Sequence, residues 1–374
     1  MNSGDLKADI QKIISSGVYS HVQKEKEGIL LPLLIQEIQH AIENSAIIRR
    51  FFEKQQFHPE DILSVADVPS MPVQMFKYFD LKTCPQEDVV KTLKSSGTTT
   101  SVQSRVPLDK ATVMNQIKAL QTILASYLGS KRRIFLVIDH EGINNPALEF
   151  TARTAGVRGL SIYAKQTFYL LKEEPDGNLV LNLPVIREIQ EKYTDQEVYV
   201  FGFTYIIWTV FYQQMKEAGL TLKLHNPTVF HSGGWKKLKS QSVSKEYFNE
   251  HIGKLLGCDT EHILDFYGMA EQTGIIFPDC PCGNKHVPAF ADVIIRDPYT
   301  LQECKTGETG MIEVMSVLST SYYCQAILTE DTGYIVGIDD CPCGRKGKYF
   351  RFASRIEKAE ARGCGDTFRE KKHV

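Results

Sequence analysis

The chain has 374 residues, of which 43% are hydrophobic, enough to form a sizeable buried core in one large domain or two smaller ones. Its 43 Lys and Arg nearly balance 45 Asp and Glu, which excludes a global electrostatic attraction to nucleic acid or to an anionic membrane. No basic stretch with an apolar run opens the chain and no segment approaches the roughly 20 apolar residues of a membrane helix, so we expect a cytoplasmic protein without a membrane span.

Residues 1–85 show the spacing of amphipathic helices. Leu30, Leu34 and Ile38 recur at four-residue steps among polar residues. Pro32 fits this pattern if it lies in the first turn of its helix, and later prolines indicate a connecting stretch. We therefore predict a helical N-terminal region over residues 1–85.

From residue 86 onwards, short apolar runs alternate with longer amphipathic segments. This alternation is typical of an α/β fold with buried strands, and it predicts an α/β core over residues 86–355 with a short tail over 356–374. Residues 293–331 are richer in strand formers and predict a distorted sheet or a small β-barrel. The apolar runs are 134–139, 198–203 and 228–234.

The first motif is a loop rich in hydroxyl groups. Glycine permits a tight turn there, and hydroxyls with backbone N–H groups can surround phosphate oxygens. The same composition also occurs in ordinary loops, and the absence of a following Gly-Lys-Ser/Thr excludes a Walker A loop. The residues are Ser95, Ser96, Gly97, Thr98, Thr99 and Thr100, followed by Ser101 and Ser104.

The second motif, DFYGMAEQTG at residues 265–274, runs from an apolar stretch into a turn. Glu271 can hold Mg²⁺ that also binds phosphate oxygens, and Tyr267 can stack on a purine. The alternative is a strand that ends at a solvent-exposed glutamate.

The third motif is HSGGWKK at residues 231–237. The pair Gly233 and Gly234 permits close approach of a ligand to the backbone. Lys236 and Lys237 either contact phosphates or form a solvated face.

The fourth motif is LTEDTGYI at residues 328–335, with Arg355 further along the chain. A carboxylate can accept two hydrogen bonds from a ribose diol, so Asp331 is a candidate ribose ligand. Acidic turns at strand ends are also common without a ligand.

In this order the four motifs resemble the adenylate-forming superfamily, and within it the acyl-protein synthetases (LuxE-type) and phenylacetate-CoA ligases. The resemblance covers about residues 90–365 and implies an enzyme that uses ATP and Mg²⁺. It identifies the first motif as the phosphate loop. It places adenine near Gly233, Gly234, Tyr267 and Gly268, Mg²⁺ on Glu271, ribose on Asp331, and the family's following arginine at Arg355.

The chain departs from typical members after Arg355, where they continue into a lid domain that supplies a catalytic lysine. Here only residues 356–374 follow, so we expect the lid to be absent and assign its positive charge to Lys236 or Lys237. This favours the acyl-protein synthetases, whose acyl-accepting cysteine lies near the C-terminus. Cys364 stands between Gly363 and Gly365, and Arg362, two residues before it, can lower its pKa. The alternative is a bystander cysteine.

Nine cysteines without an export signal argue against a disulfide framework. Two CPCG turns and a histidine offer ligands that suit tetrahedral Zn²⁺, although free thiols remain the alternative. Similarity to some phenylacetate-CoA ligase relatives implies a structural zinc site with Cys282 as a spare. Its ligands are Cys280, His286, Cys341 and Cys343.

The predicted reaction is ATP-dependent activation of a carboxylic acid as an acyl-adenylate, followed by transfer to a thiol. The resemblance implies a fatty acid, the acceptor Cys364 and an acyl-CoA-reductase-type partner. Two alternatives are transfer to CoA or an acyl carrier protein, and a non-catalytic nucleotide-binding scaffold, against which the intact motifs argue. Residues 198–208 are either the hydrophobic acyl pocket or ordinary core.

Overall fold

The computed structural model describes residues 3–94, 103–145, 152–234 and 242–356. Its helices are α1 (Ser3–Ser15), α2 (Gln23–Asn44), α3 (Ala46–Lys54), α4 (Met75–Tyr78), α5 (Lys110–Leu128), α6 (Ala152–Leu160), α7 (Leu183–Lys192), α8 (Thr204–Ile206), α9 (Gln213–Glu217) and α10 (Lys245–Leu256), with a π-helical stretch, Ile207–Tyr212, between α8 and α9. Its strands are β1 (Met71–Pro72), β2 (Val89–Lys94), β3 (Arg105–Asp109), β4 (Arg133–Ile138), β5 (Ala164–Tyr169), β6 (Leu171–Glu173), β7 (Leu179–Leu181), β8 (Val198–Phe203), β9 (Thr228–Ser232), β10 (Ile263–Tyr267), β11 (Phe277–Pro278), β12 (Lys285–His286), β13 (Ala291–Arg296), β14 (Gly310–Ser316), β15 (Ala326–Ile338) and β16 (Lys348–Arg355).

Helix α2 follows the spacing seen in the sequence. Leu30, Leu34 and Ile38 are buried along one face, as the four-residue step predicts. Pro32 is exposed but lies in the interior of the helix, not in its first turn as we expected. A proline there removes a backbone hydrogen bond, so burial of the leucine face, and not intrinsic propensity, stabilises the helix.

The predicted apolar runs form β4, β8 and β9, three neighbouring strands of a six-stranded sheet. The sheet order is β11-β10-β9-β8-β4-β5, and β10, β9, β8, β4 and β5 pair in parallel. Strand β8 is buried at every position, as expected of a parallel sheet covered on both faces. Because parallel strands end at one edge, the residues that follow β4, β8, β9 and β10 lie along the same edge.

A second six-stranded sheet contains the strand-rich segment predicted near the C-terminus. Its order is β12-β16-β15-β14-β13, with antiparallel neighbours, and β1 pairs in parallel with β15. Register shifts interrupt the pairing of β15 with both β14 and β16, so the sheet is distorted as expected. Strand β15 therefore has three partners, β14, β16 and β1, and β2 with β3 and β6 with β7 form separate antiparallel pairs.

The chain packs as two compact units. The first is formed chiefly by the residues up to Ile123 together with the antiparallel sheet, and the second chiefly by Leu124–Tyr267 with the parallel sheet. The division that we predicted at residues 85 and 355 stays a prediction.

Candidate functional site

The carboxyl edge of the parallel sheet holds the residues that we assigned to adenine. Gly233 follows β9 with a φ of 89°, and a Cβ atom there would lie 3.0 Å from the ring of Phe203. Among the described residues, no atom lies within 4 Å of the position that a Cβ on Gly234 would take. Tyr267 ends the neighbouring strand β10 and Gly268 follows it. The structure therefore brings Gly233, Gly234 and Tyr267 to one sheet edge.

A buried ion pair at the end of β4 escaped the sequence analysis. Nε of Arg153 donates to Oδ2 of Asp139 at 2.6 Å, a terminal nitrogen of Arg153 donates to Oδ1, and Asp139 is only 2% exposed. Burial acts to lower the pKa of Arg153, but the Asp139 carboxylate overrides it and raises that pKa. The pair fixes α6 to the end of β4. Its sequence signal is an aspartate directly after a buried strand.

Glu271 lies in the first unit on a buried 3₁₀ turn, Ala270–Gln272, and is 7% exposed, so the alternative of a solvent-exposed glutamate is wrong. The hydroxyl of Tyr322 donates to the Glu271 carbonyl at 2.9 Å. The side-chain amide of Gln272 donates to the carbonyls of Val314 at 3.2 Å and Cys324 at 3.0 Å. These bonds fix the turn to the antiparallel sheet and the segment before β15.

Gly274 ends the same turn with a φ of 94°. A Cβ atom at this position would lie 2.6 Å from Cα of Gln116 in α5. Both the backbone conformation and the close approach of α5 require glycine. The turn with Glu271 is thus held from two sides.

The electrostatic environment of Glu271 favours a cation beside it. Burial raises the pKa of Glu271, while a hydrogen bond from Ser104 and the positive charges of Lys77 and Arg355 lower it in part. Ser104 belongs to the hydroxyl-rich motif, whereas Lys77 lies in the stretch that we read as a connection. A desolvated carboxylate of this kind is a suitable ligand for Mg²⁺, which prefers one or two carboxylates together with phosphate oxygens.

Asp331 and Arg355 are brought together by the pairing of β15 with β16, where they are Cα partners. Nε of Arg355 lies 4.0 Å from Oδ1 of Asp331, and a terminal nitrogen lies 3.3 Å from Oε2 of Glu330. Arg355 is 39% exposed and Asp331 24%, so a ligand can reach both. Glu330, next to Asp331, is a third member that the sequence analysis missed.

The four predicted zinc ligands form one cluster. Sγ of the cysteines and one ring nitrogen of the histidine lie within 4.8 Å of one another. Burial and the nearby charge of Arg345 lower the pKa of His286 to about 4, so its imidazole is neutral and can coordinate a metal. Cys282 is exposed and stands outside the cluster. Three thiols and one imidazole fit a tetrahedral Zn²⁺; they are Cys280, His286, Cys341 and Cys343.

Several predicted site residues lie outside the described residues, and their roles stay predictions: Ser95, Ser96, Gly97, Thr98, Thr99, Thr100, Lys236, Lys237 and Cys364. The acyl-pocket candidate, residues 198–208, is buried throughout and runs from β8 into the π-helical stretch. This burial suits either alternative, so the pocket also stays a prediction.

Comparison with known proteins identifies the family. The family described as acyl-protein synthetase, LuxE, matches residues 2–372. The chain belongs to this family. Two curated relatives are each described as a long-chain-fatty-acid–luciferin-component ligase. The relative from Aliivibrio fischeri is 22% identical over 82% of this chain and 79% of the relative's length. The relative from Vibrio harveyi is 22% identical over 91% of this chain and 87% of the relative's length.

The fold is shared with solved structures of a CoA ligase. A 2-hydroxyisobutyryl-CoA ligase in an open conformation, in complex with 2-HIB-AMP and CoA, superposes with a TM-score of 0.69 at 15% identity, covering 91% of this chain and 77% of its own. The same ligase in a postadenylation state with 2-HIB-AMP gives a TM-score of 0.68 at 16% identity. This match covers 90% of the present chain and 69% of the ligase chain.

The family match and the curated relatives confirm the predicted family and the assignment as an ATP-dependent ligase that activates an acid and transfers the acyl group. The solved structures confirm the α/β fold class. The non-catalytic scaffold is therefore rejected. None of the helices in the described parts of the chain has the length and apolar character needed to cross a bilayer. The cytoplasmic location stays a prediction.

Proposed function

We propose that this chain activates a fatty acid with ATP and passes the acyl group through Cys364 to a protein acceptor. The observation that carries the proposal is the family match over residues 2–372, together with relatives described as ligases of long-chain fatty acids. The close arrangement of Glu271, Asp331 and Arg355 within one unit supports a nucleotide site.

In the first step a carboxylate oxygen of the fatty acid attacks the α-phosphorus of ATP. The bond from this phosphorus to the bridging oxygen breaks, and pyrophosphate leaves with the electron pair. Asp331 accepts hydrogen bonds from the ribose hydroxyls, Tyr267 lies against adenine, and Gly233 and Gly234 allow its close approach. Held through Glu271, Mg²⁺ would neutralise charge on the phosphates.

In the second step the thiolate of Cys364 attacks the carbonyl carbon of the acyl-adenylate. A thioester forms and AMP leaves with the electron pair of the anhydride bond. Arg362 favours the thiolate, and Lys236, with Lys237 as the alternative, supplies positive charge near the phosphate. A reductase-type partner then receives the acyl group from Cys364.

The cysteine–histidine cluster holds a structural zinc ion in this proposal. Four protein ligands complete a tetrahedral shell and leave no position for substrate. The cluster joins the turn before β12 to the turn before β16, and it therefore stabilises the antiparallel sheet that carries Asp331 and Arg355.

The proposal is tested with ATP, Mg²⁺ and radiolabelled fatty and aromatic acids, without CoA. Wild type is compared with Cys364→Ala and with Cys282→Ala, a control at an exposed cysteine outside the zinc set. We expect label on wild type and on the control, removable by hydroxylamine. We expect no label on Cys364→Ala, while its pyrophosphate release persists. If no protein is labelled and added CoA drives AMP formation equally in all three, the acceptor is CoA and the proposal is wrong.

A further inference from the structure

The segment from β1 to α4 lies beside the nucleotide-site residues of the first unit. β1 pairs in parallel with β15, and the backbone N–H of Val73 donates to the carbonyl of Leu328 at 2.9 Å. The side-chain amide of the next residue, Gln74, donates to the carboxylate of Glu330. The start of α4 is thereby fixed next to the acidic pair on β15.

Phe76 fixes α4 on its other side. Its ring is buried and lies edge-on to the ring of Tyr322 at 6.1 Å between centroids. Tyr322 in turn donates its hydroxyl hydrogen bond to the carbonyl of Glu271 at 2.9 Å. Helix α4 is therefore anchored both to β15 and to the residue that supports the Glu271 turn.

Lys77 directly follows Phe76 and is half-buried. Its positive charge acts on the Glu271 carboxylate and lowers the pKa of that group. Within the described parts of the chain, Lys77 forms no ion pair or side-chain hydrogen bond of its own. A half-buried ammonium group that acts on Glu271 only through its charge, without a direct ion pair among the described residues, is well placed to bind an anion.

We propose that Lys77 binds the β- and γ-phosphates of ATP and stabilises pyrophosphate as it leaves. The proposal rests on the proposed function, in which Glu271 marks the magnesium and phosphate side of the nucleotide and Asp331 the ribose side. The charge of Arg355 also acts on Glu271, but Arg355 contacts Asp331 and Glu330 on the ribose side, so we assign the phosphate side to Lys77. When the bond to the α-phosphorus breaks, its electron pair passes to a pyrophosphate oxygen. The ammonium group stabilises that charge and transfers no proton.

The test compares the binding of ATP and of AMP by titration calorimetry in the presence of Mg²⁺. We expect Lys77→Met to weaken ATP binding by about 10- to 100-fold and to leave AMP binding unchanged, because AMP lacks the β- and γ-phosphates. Lys77→Arg should recover part of the loss. The control, Lys82→Met, removes a lysine that follows α4 and donates to the side chain of Gln86, and it should bind both nucleotides as wild type does.

Exchange of labelled pyrophosphate into ATP, driven by fatty acid, separates this proposal from the proposed function. If wild type shows exchange and a folded Lys77→Met variant binds ATP as tightly as wild type, the Lys77 assignment is wrong while the proposed function stands. If no fatty acid drives exchange in wild type, the proposed function is wrong. The role of Lys77 is still decided in that case by whether Lys77→Met loses binding of ATP and keeps binding of AMP. Equal weakening of ATP and AMP also contradicts the assignment.

Discussion

Asp331 and Arg355 face each other directly across the antiparallel pair of β15 and β16, with Nε of Arg355 4.0 Å from Oδ1 of Asp331. Opposed residues in such a pair project from the same face of the sheet, so strand register alone places the two side chains together. Two residues that look like separate motif positions in the sequence are therefore one structural unit. Anything that shifts the register of β16 against β15 separates them.

We expect Asp331→Ala to weaken the binding of both ATP and AMP by about 10- to 100-fold, because the ribose diol is common to both nucleotides. This pattern differs from the loss of ATP binding alone that we expect for Lys77→Met. Titration calorimetry with each nucleotide makes the comparison. The control is Glu308→Ala, which removes an exposed carboxylate that accepts from the backbone N–H of Lys305. Unchanged AMP binding by Asp331→Ala would exclude Asp331 as the ribose ligand.

Gly274→Ala is expected to disturb the Glu271 turn. The added Cβ would meet Cα of Gln116 at 2.6 Å, so the turn or α5 must shift. We expect destabilisation by more than about 2 kcal/mol in urea unfolding, together with weaker ATP binding. Gly307→Ala isolates the contribution of the backbone, because Gly307 also has a positive φ of 87° but open space around the Cβ position. Gly307→Ala should lower the free energy of unfolding by only about 1 kcal/mol and leave ATP binding intact. Equal effects of the two substitutions would show that the contact with α5 is unimportant.

The sequence predicted those parts of the structure that depend on local patterns. The apolar runs located β4, β8 and β9, because burial is expressed within a few residues. The two CPCG turns and the histidine indicated a metal site, and the family resemblance selected the four residues that the structure brings together. The arrangement around Lys77 was not predictable in this way. It depends on the pairing of a two-residue strand with β15, and periodicity carries no signal for contacts between distant segments. The position of Pro32 inside α2 was missed because tertiary burial outweighed its low helix propensity.

Glu37 makes stability depend on pH. Its carboxyl group is 2% exposed and accepts a hydrogen bond from the Gln325 side chain, and burial raises its pKa well above the ordinary 4.5. The folded chain therefore keeps a proton that the unfolded chain has lost. Stability contributed by the protonated group is complete below pH 4.5 and declines as pH rises through the folded pKa, by up to about 1.4 kcal/mol per pH unit.

Glu37→Gln should remove this pH dependence, because the amide resembles the protonated acid and its oxygen can accept the same hydrogen bond. Urea midpoints at pH 5 and pH 8 provide the measurement. We expect Glu37→Gln to be more stable than wild type at pH 8, and we expect this difference in stability to be smaller at pH 5. Glu43→Gln, at an exposed position of the same helix, serves as control and should follow wild type at both values. If the urea midpoints of wild type and Glu37→Gln change by the same amount between pH 5 and pH 8, the expectation is contradicted.

The metal cluster is connected to the N-terminal part of the chain through aromatic contacts. The ring of Tyr19 lies edge-on to that of His286 at 5.9 Å, and the guanidinium of Arg345 lies 5.0 Å from the Tyr19 centroid. Nε2 of His286 is 3.3 Å from Sγ of Cys343. A metal that fixes His286 therefore also fixes the surface on which Tyr19 packs.

We expect the purified protein to contain about one zinc ion per chain, as a four-ligand cysteine–histidine site predicts. Cys343→Ser should lose the zinc and lower the melting temperature by at least about 5 °C, because metal binding contributes directly to folding. Cys282→Ser should keep the zinc and the wild-type melting temperature, since Cys282 is exposed and is not one of the four clustered residues. Metal content by mass spectrometry and thermal unfolding with and without a chelator give the two readouts. If wild type contains no zinc and its melting temperature is unchanged by the chelator, the cysteines of the cluster are free thiols. Equal zinc loss in both variants would mean that Cys282 is also a ligand.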